Sequence, residues 1–264
     1  DSTLLSNYLK NDTDLLVAID HVGKDRISNN LVPFEKVLGK IHVIKIHAKD
    51  YAEELVNVQK NVGIIPVHSF VSQSILSSYV KNKKCKVIFG GEGADELFGG
   101  YESYLTENIS PYTRYEGKDT HLKNKLNEAH EKAKKIYDND EKLSMMFCDL
   151  QYQNPSIGCR TSESMSMLHG VESRSVYLRK EILKFGLNLP LRFKINYNAP
   201  DKLKCKYLLK KLYLKYFPEN LLFKKQGFAG FPNESKKFLN LKIEETSKEL
   251  EWKWINLKSF MNVK

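Results

Sequence analysis

Long apolar runs are missing from this chain. Nothing in its 264 residues approaches the roughly 20 consecutive apolar residues that a membrane span requires, and a 41% hydrophobic content is that of a soluble globular protein able to bury a sizeable core. Cysteine is scarce. Cys85, Cys148, Cys159 and Cys205 show no metal-ligand spacing and read as buried thiols in a reducing compartment, which points to the cytoplasm. There is no Gly-Lys-Ser/Thr phosphate loop, which argues against a kinase-like nucleotide triphosphatase, and Gly91-x-Gly93 fails the dinucleotide fingerprint because Glu96 stands at its third glycine position. No Ser/His/Asp or Cys/His constellation, zinc finger, basic zipper, internal repeat or low-complexity tract is present. Acidic residues are outnumbered, 32 against 42 Lys+Arg, for a net charge of +10. The basic residues are mostly lysines spread along the whole chain, so they read as a compositional bias and not as a nucleic-acid stripe; a steep salt dependence of nucleic-acid retention would be the contrary observation.

What is present centres on Val87-Ile88-Phe89-Gly90-Gly91-Glu92-Gly93-Ala94-Asp95-Glu96-Leu97-Phe98-Gly99-Gly100-Tyr101. A buried strand, a glycine-rich turn and a helix start follow one another, the arrangement in which parallel α/β sheets bind ligands at strand C-termini. The glycines leave backbone N–H groups open to close approach by a phosphate or an adenylate. Glu92, Asp95 and Glu96 put three carboxylates beside that turn, and carboxylates repel phosphate unless a hard cation such as Mg²⁺ lies between them. The competing reading is an ordinary strand-to-helix turn with Asp95 as its N-cap.

Upstream, Leu15 to Ile19 and Ile41 to Ile46 are apolar strand candidates joined by a helix-length connection at Val32 to Leu38, the grammar of a parallel βαβ unit. Residues 49 to 60 read as a helix with Leu55 and Val58 inward, and Phe70 to Val80 as another before a strand at Lys86 to Phe89. Residues 1 to 104 are therefore expected to form an α/β nucleotide-binding layer and 105 to 264 a mainly helical part, the composition turning helical near Ile109. Residues 119 to 137 predict a solvated surface helix, Glu141 to Gln151 a core helix with Leu143, Met146, Phe147 and Leu150 inward, and Lys202 to Phe217 one amphipathic helix stopped by Pro218. The last 30 residues, with Trp252 and Trp254, suggest no chemistry.

Residues 91 to 101, Gly-Glu-Gly-Ala-Asp-Glu-Leu-Phe-Gly-Gly-Tyr, resemble the signature of the asparagine synthetase family in its ATP-pyrophosphatase domain. Met167 to Arg174 is similar to the family's Glu-x-Arg block, with Glu172 and Arg174. Lys224-Lys225-Gln226-Gly227-Phe228 is similar to its Lys-Gln-Gly-Phe segment, and Asp1-Ser2-Thr3 to the end of its pyrophosphate loop, Ser-Gly-Gly-x-Asp-Ser. The resemblance implies an adenine nucleotide alpha hydrolase-like fold: a Rossmann-like parallel sheet with flanking helices, followed by the helical part. It implies an AMP-forming amide ligase using ATP and Mg²⁺. Asp1 and Asp95 would share the metal on the pyrophosphate, Ser2 would lend a hydroxyl, Ile19, Gly90 and Gly91 would meet the adenosine through backbone groups, and Lys225 would set a cation against the developing charge. Glu92 would orient the incoming amine or accept its proton. Glu172 and Arg174 read as an ion pair holding the two layers together, and His169 as a structural histidine.

The resemblance also predicts that the central strand and the rest of the pyrophosphate loop lie upstream of residue 1, in a longer protein. A glutaminase domain or subunit would supply ammonia to a small-molecule carboxylate, and a homodimer is left open. Three departures bear on the acceptor: Glu163-Ser164 where the family usually has Asp-Arg, Arg179 where an Asp is usual, and Phe223 where an Arg commonly precedes the lysine segment. Activation chemistry is thus better supported than aspartate as its substrate. The alternatives are the same chemistry on another acid, as in lactam or macrocycle closure or sugar-acid amidation, and a non-catalytic nucleotide-binding module.

Overall fold

A computed structural model describes residues 1–24, 31–65, 67–106, 120–223, 230–241 and 248–263. The first half runs α1 (Ser2–Leu9), β1 (Leu16–His21), α2 (Val32–Leu38), β2 (Ile41–Ile46), α3 (Ala48–Val62), α4 (Ser69–Asn82), β3 (Val87–Gly90) and α5 (Ala94–Phe98). Then follow α6 (Thr120–Ile136), α7 (Glu141–Cys148), a π-helical stretch over Asp149–Cys159, α8 (Arg160–Leu168), β4 (Glu172–Ser175), α9 (Lys180–Leu187), α10 (Leu191–Lys194), α11 (Asp201–Lys204), α12 (Tyr207–Tyr213), α13 (Pro232–Phe238) and α14 (Lys248–Val263). Ile109 and the Lys225 segment lie outside the described residues.

The fold is mixed α/β and mostly helical. β1 and β2 pair in parallel, Leu16 opposite Ile41 and His21 opposite Ile46, while β3 pairs with β4 in a separate two-stranded sheet. Among the described residues the expected single parallel sheet is therefore two short pairs. β3 is only four residues long, and the backbone beside it is engaged from elsewhere in the chain, the Glu172 N–H donating to the Lys86 carbonyl at 2.8 Å.

The chain divides into two compact units that interleave along the sequence instead of parting once near residue 104. One comprises residues 1–5, 90–160 and 175–225, the other 6–89, 161–174 and 226–264. In the second, a βαβ layer forms because the apolar strand residues and one stripe of α3 share a core: Ile44, Ile46, Tyr51, Leu55, Val58, Phe70, Val71, Met165, Phe231 and Ile255 are all buried together. Pro33 near the start of α2 costs no helical hydrogen bond there, and Gly39 and Gly63 end α2 and α3 with positive φ.

In the first unit the buried faces of α5 and α7 supply the two cores. Leu97 and Phe98 pack with Tyr177 and Leu189, and Met145 and Met146 with Tyr104 and Ile195. The Asp140 carboxylate caps α7, accepting from the Lys142 and Leu143 N–H groups at 2.9 Å each. The expected helix over 141–151 gives way at Asp149 to eleven π-helical residues containing Pro155, whose missing N–H a regular helix would not accommodate.

Lys194 is buried against this core, 2% exposed. Burial draws its amine from the ordinary 10.5 down to about 8, with the Asp140 carboxylate opposing the change. Between those two values the unfolded chain holds a proton that the folded chain lacks, so stability should rise with pH there, and the amine costs stability below about pH 8. Lys194→Met should raise stability by about 2 kcal/mol at pH 7, and the gain should fade as the pH rises towards the amine's ordinary value. Urea melts in neutral and strongly alkaline buffer check this; an equal gain in both would mean packing and not charge.

Candidate active site

The turn after β3 closes tightly because it has no side chains to accommodate. Gly93 takes a φ of 85°, and a Cβ there would overlap Leu178; a Cβ on Gly90 would overlap the Glu92 carboxylate, which lies back across it. A Cβ on Gly91 would stand 3.2 Å from the Asp1 Cβ and 3.4 Å from the Ser2 nitrogen. The turn therefore meets the start of α1 almost backbone to backbone. The Asp1 carbonyl accepts the Leu5 N–H at 3.0 Å, opening α1, and also the Tyr177 hydroxyl at 3.2 Å. Glycine-turn and first-turn N–H groups are the donors that an anionic phosphate needs.

Asp95 sits in the first turn of α5, and one side chain joins it to Asp1. The Lys206 ammonium lies 2.8 Å from Asp95 Oδ1 and pairs with Asp1 Oδ2 as well. Lys206 is 8% exposed; burial pulls its pKa down and the Asp95 carboxylate pulls it back, with Asp1 also in contact. The sequence pattern places Lys206 inside one helix over 202–217. Instead the helix is cut into α11 and α12, with Lys206 itself at φ 51°, its N–H donating to the Gly99 carbonyl at 3.1 Å. Left-handed backbone costs a non-glycine residue roughly 1–2 kcal/mol, and here the two carboxylates and the Gly99 hydrogen bond hold it. Nothing in the sequence singled this lysine out from a Lys-rich run.

The third carboxylate beside the turn faces inward. Glu96 is buried, accepting the Tyr101 hydroxyl at 2.5 Å and the Asn154 amide at 3.3 Å. Its pKa is raised by burial, against which the Tyr101 hydrogen bond works. Glu96 thus ties α5 to the π-helical stretch, whose Gly158 would place a Cβ 4.0 Å from Glu92 Cγ. Expanded helical turns of this kind recur at functional sites.

Elsewhere the expectations meet the structure unevenly. Glu172 and Arg174 do pair, at 2.8 Å, but as neighbours along β4 with both side chains over half exposed, so the pair is too solvated to clamp two layers. His169 is structural as read: its Nε2 lies 2.7 Å from the Ser74 hydroxyl, with Glu54 adjacent. Ile19 packs on the core of the other unit, and Lys225 lies outside the described residues. Asp1, Ser2, Gly90, Gly91, Glu92 and Asp95 all fall in one unit, with Lys206 added.

Residues 36–251 match the asparagine synthase family. The chain belongs to that family. Among curated proteins, one from Methanocaldococcus jannaschii, which carries the provisional name asparagine synthetase 1 of the glutamine-hydrolysing type, is 24% identical over 154 residues, 57% of this chain. The matched stretch is 24% of that relative's length. Asp1 and Ser2 precede the matched residues, and what joins them to the glycine turn is their contacts with Gly91 and Lys206.

Asparagine synthases are generally ATP-dependent amide ligases, and the donor set suits the Mg²⁺ that accompanies ATP. Among the described residues no group of three or more His, Cys, Asp or Glu side chains is placed to hold a metal. Two carboxylates converging on one cation are what Mg²⁺ takes when phosphate oxygens and water complete its shell. No helix among the described residues is long and apolar enough to cross a membrane.

Proposed function

We propose that this chain carries the synthetase half of an AMP-forming amide ligase, adenylating a small carboxylate, aspartate or a related acid, and passing ammonia or an amine to it. The carrying observation is the convergence of Asp1 and Asp95 on Lys206 at the end of a glycine turn. Displacing oxide from a free carboxylate needs a better leaving group. Attack of a carboxylate oxygen on the α-phosphorus of ATP supplies it, releasing pyrophosphate and leaving an acyl-adenylate. Asp1 and Asp95 would hold Mg²⁺, which neutralises pyrophosphate charge. Lys206 would set a fixed ammonium beside the same oxygens, and the N–H groups of Gly91 and Ser2 would complete the cradle.

Glu92, folded over Gly90 and next to Gly158, would orient the amine or take its proton in the second half-reaction. Lys225 is assigned to the developing charge and Ile19 to adenosine on the family pattern alone. A glutaminase domain or subunit supplying ammonia, and a cytoplasmic setting with the four cysteines as free thiols, belong to the same proposal.

A second reading concerns the acceptor. Arg179 is exposed and directly follows Leu178, whose side chain abuts Gly93, at a position where the family usually has an acid. That favours an acceptor carrying more negative charge than aspartate.

The test is carboxylate-dependent exchange of labelled pyrophosphate into ATP with Mg²⁺, across a panel of mono-, di- and tricarboxylates. Glu92→Gln should keep exchange within about tenfold of wild type while losing amide product by roughly 10²-fold or more, as expected for a group acting after adenylation. No exchange with any acid, from folded protein that has the complete pyrophosphate loop and binds ATP, would refute the ligase reading.

A further inference from the structure

The 3₁₀ turn over Val176–Leu178, which follows β4, touches both the glycine turn and the start of α1 with consecutive residues. Leu178 occupies the space that a Cβ on Gly93 would need, and the Tyr177 hydroxyl donates to the Asp1 carbonyl at 3.2 Å. All of these residues lie in one compact unit. Tyr177 takes no part in the adenylation chemistry itself.

Its ring is firmly seated. Tyr177 is 7% exposed, packs with Ala94, Leu97, Phe98 and Leu189, and meets the Phe98 ring edge-on with 6.1 Å between centroids. Ala94, Leu97 and Phe98 belong to α5, the helix whose first turn carries Asp95. A side chain locked by packing holds its polar end in place, so the core beneath α5 sets where the Tyr177 hydroxyl stands. The Asp1 carbonyl accepts the Leu5 N–H at 3.0 Å from its own helix, and the Tyr177 hydroxyl ties the same oxygen to the core of α5. Only χ1 and χ2 separate that backbone from the Asp1 carboxylate, so a shift of the carbonyl is passed on to the acid. Mg²⁺ demands near-ideal octahedral geometry and tolerates such shifts poorly.

We infer that Tyr177 is a positioning residue for Asp1: anchored in the core of α5, its hydroxyl fixes the Asp1 backbone so that the Asp1 and Asp95 carboxylates converge on one cation. The inference rests on the reading of Asp1 and Asp95 as Mg²⁺ ligands. It gives the hydroxyl, and not only the ring, a use at this place in the core.

The probe is Mn²⁺ with saturating α,β-methylene-ATP, which cannot be adenylated, bound to protein that has the complete pyrophosphate loop. Water-proton relaxation enhancement separates protein-bound Mn²⁺ from Mn²⁺ on free nucleotide. Tyr177→Phe keeps the ring on Phe98 and should raise the Mn²⁺ concentration for half-saturation about fivefold, the worth of one ordinary hydrogen bond. Pyrophosphate exchange should fall by a similar factor at limiting Mg²⁺ and recover at saturating Mg²⁺. Tyr104→Phe is the matched control, because it deletes a buried hydroxyl bonded to Asp149 at 2.5 Å in the same unit. It should leave the Mn²⁺ requirement within about twofold of wild type, and both variants should melt within about 5 °C of it. A Tyr177→Phe protein with the wild-type Mn²⁺ requirement, or a Tyr104→Phe protein shifted as far, would overturn the positioning role alone. Mn²⁺ binding that Asp95→Asn leaves unchanged would overturn the metal reading and the inference with it.

Discussion

Lys206→Met should lower carboxylate-dependent pyrophosphate exchange by about 10²–10³-fold, the range typical for deleting one preorganised group that stabilises transition-state charge. Lys206 is the only charge in contact with both Asp1 and Asp95 among the described ion pairs. Methionine is unbranched and close to lysine in length, so packing is largely kept while the cation is lost. Two carboxylates would then face each other in a partly desolvated place, where like charges repel strongly. The variant should consequently gain more thermal stability from added Mg²⁺ than wild type does. Lys204→Met is the control: Lys204 pairs at 2.7 Å with Asp201, whose side chain is 92% exposed, and an ion pair that solvated contributes little. Equal losses in the two variants would remove Lys206 from the site.

Gly100→Ala should reduce exchange by at least tenfold with a much smaller effect on stability. A Cβ at Gly100 would overlap both the Asp95 carboxylate and the Lys206 Cε. Those are the mobile ends of side chains, so the fold can yield, but only by moving the ion pair that the chemistry uses. The Gly100 N–H also donates to the Asp95 carbonyl at 2.7 Å, which keeps the backbone, and with it the new methyl, close to the pair. Gly63→Ala gives the opposite pattern. Gly63 has φ 78° with nothing near its Cβ position, so the cost is backbone strain of about 1–2 kcal/mol and activity per folded molecule stays unchanged. Steady-state exchange rates and thermal melts on both variants separate the effects; a Gly100→Ala enzyme with normal exchange would mean that the Asp95–Lys206 contact is dispensable.

Much of the fold was legible because its determinants are local. Val32 to Leu38, Ile41 to Ile46 and the inward Leu55 and Val58 of α3 are where apolar spacing places them, and the parallel register of β1 and β2 follows from the connection between them. The glycine turn was legible for the same reason: runs of residues without Cβ atoms have few structural uses, and the acids beside them narrow those further. The π-helical stretch was not, since Leu150 continues the apolar spacing of a regular helix past Asp149. Tyr104 and Asn154, distant in sequence, hold the side chains of Asp149 and Glu96 there.

Residue order alone was enough for the elements from α1 to β3, for the glycine turn with its acids, and for the membership in the asparagine synthase family that the motifs express. Periodicity and side-chain type suffice for these because each is a property of neighbours. Only the tertiary structure decided which carboxylate turns inward and which outward, and which of many lysines joins the two acids. Glu96 is buried because Tyr101 and Asn154 satisfy it, whereas Asp95 shares Lys206 with Asp1. Lys206 breaks a helix that its own surroundings favour because the Gly99 carbonyl and two acids from far along the chain hold it better than another helical turn would. Charge pairing of that kind depends on distance in space, and a linear pattern carries no record of it.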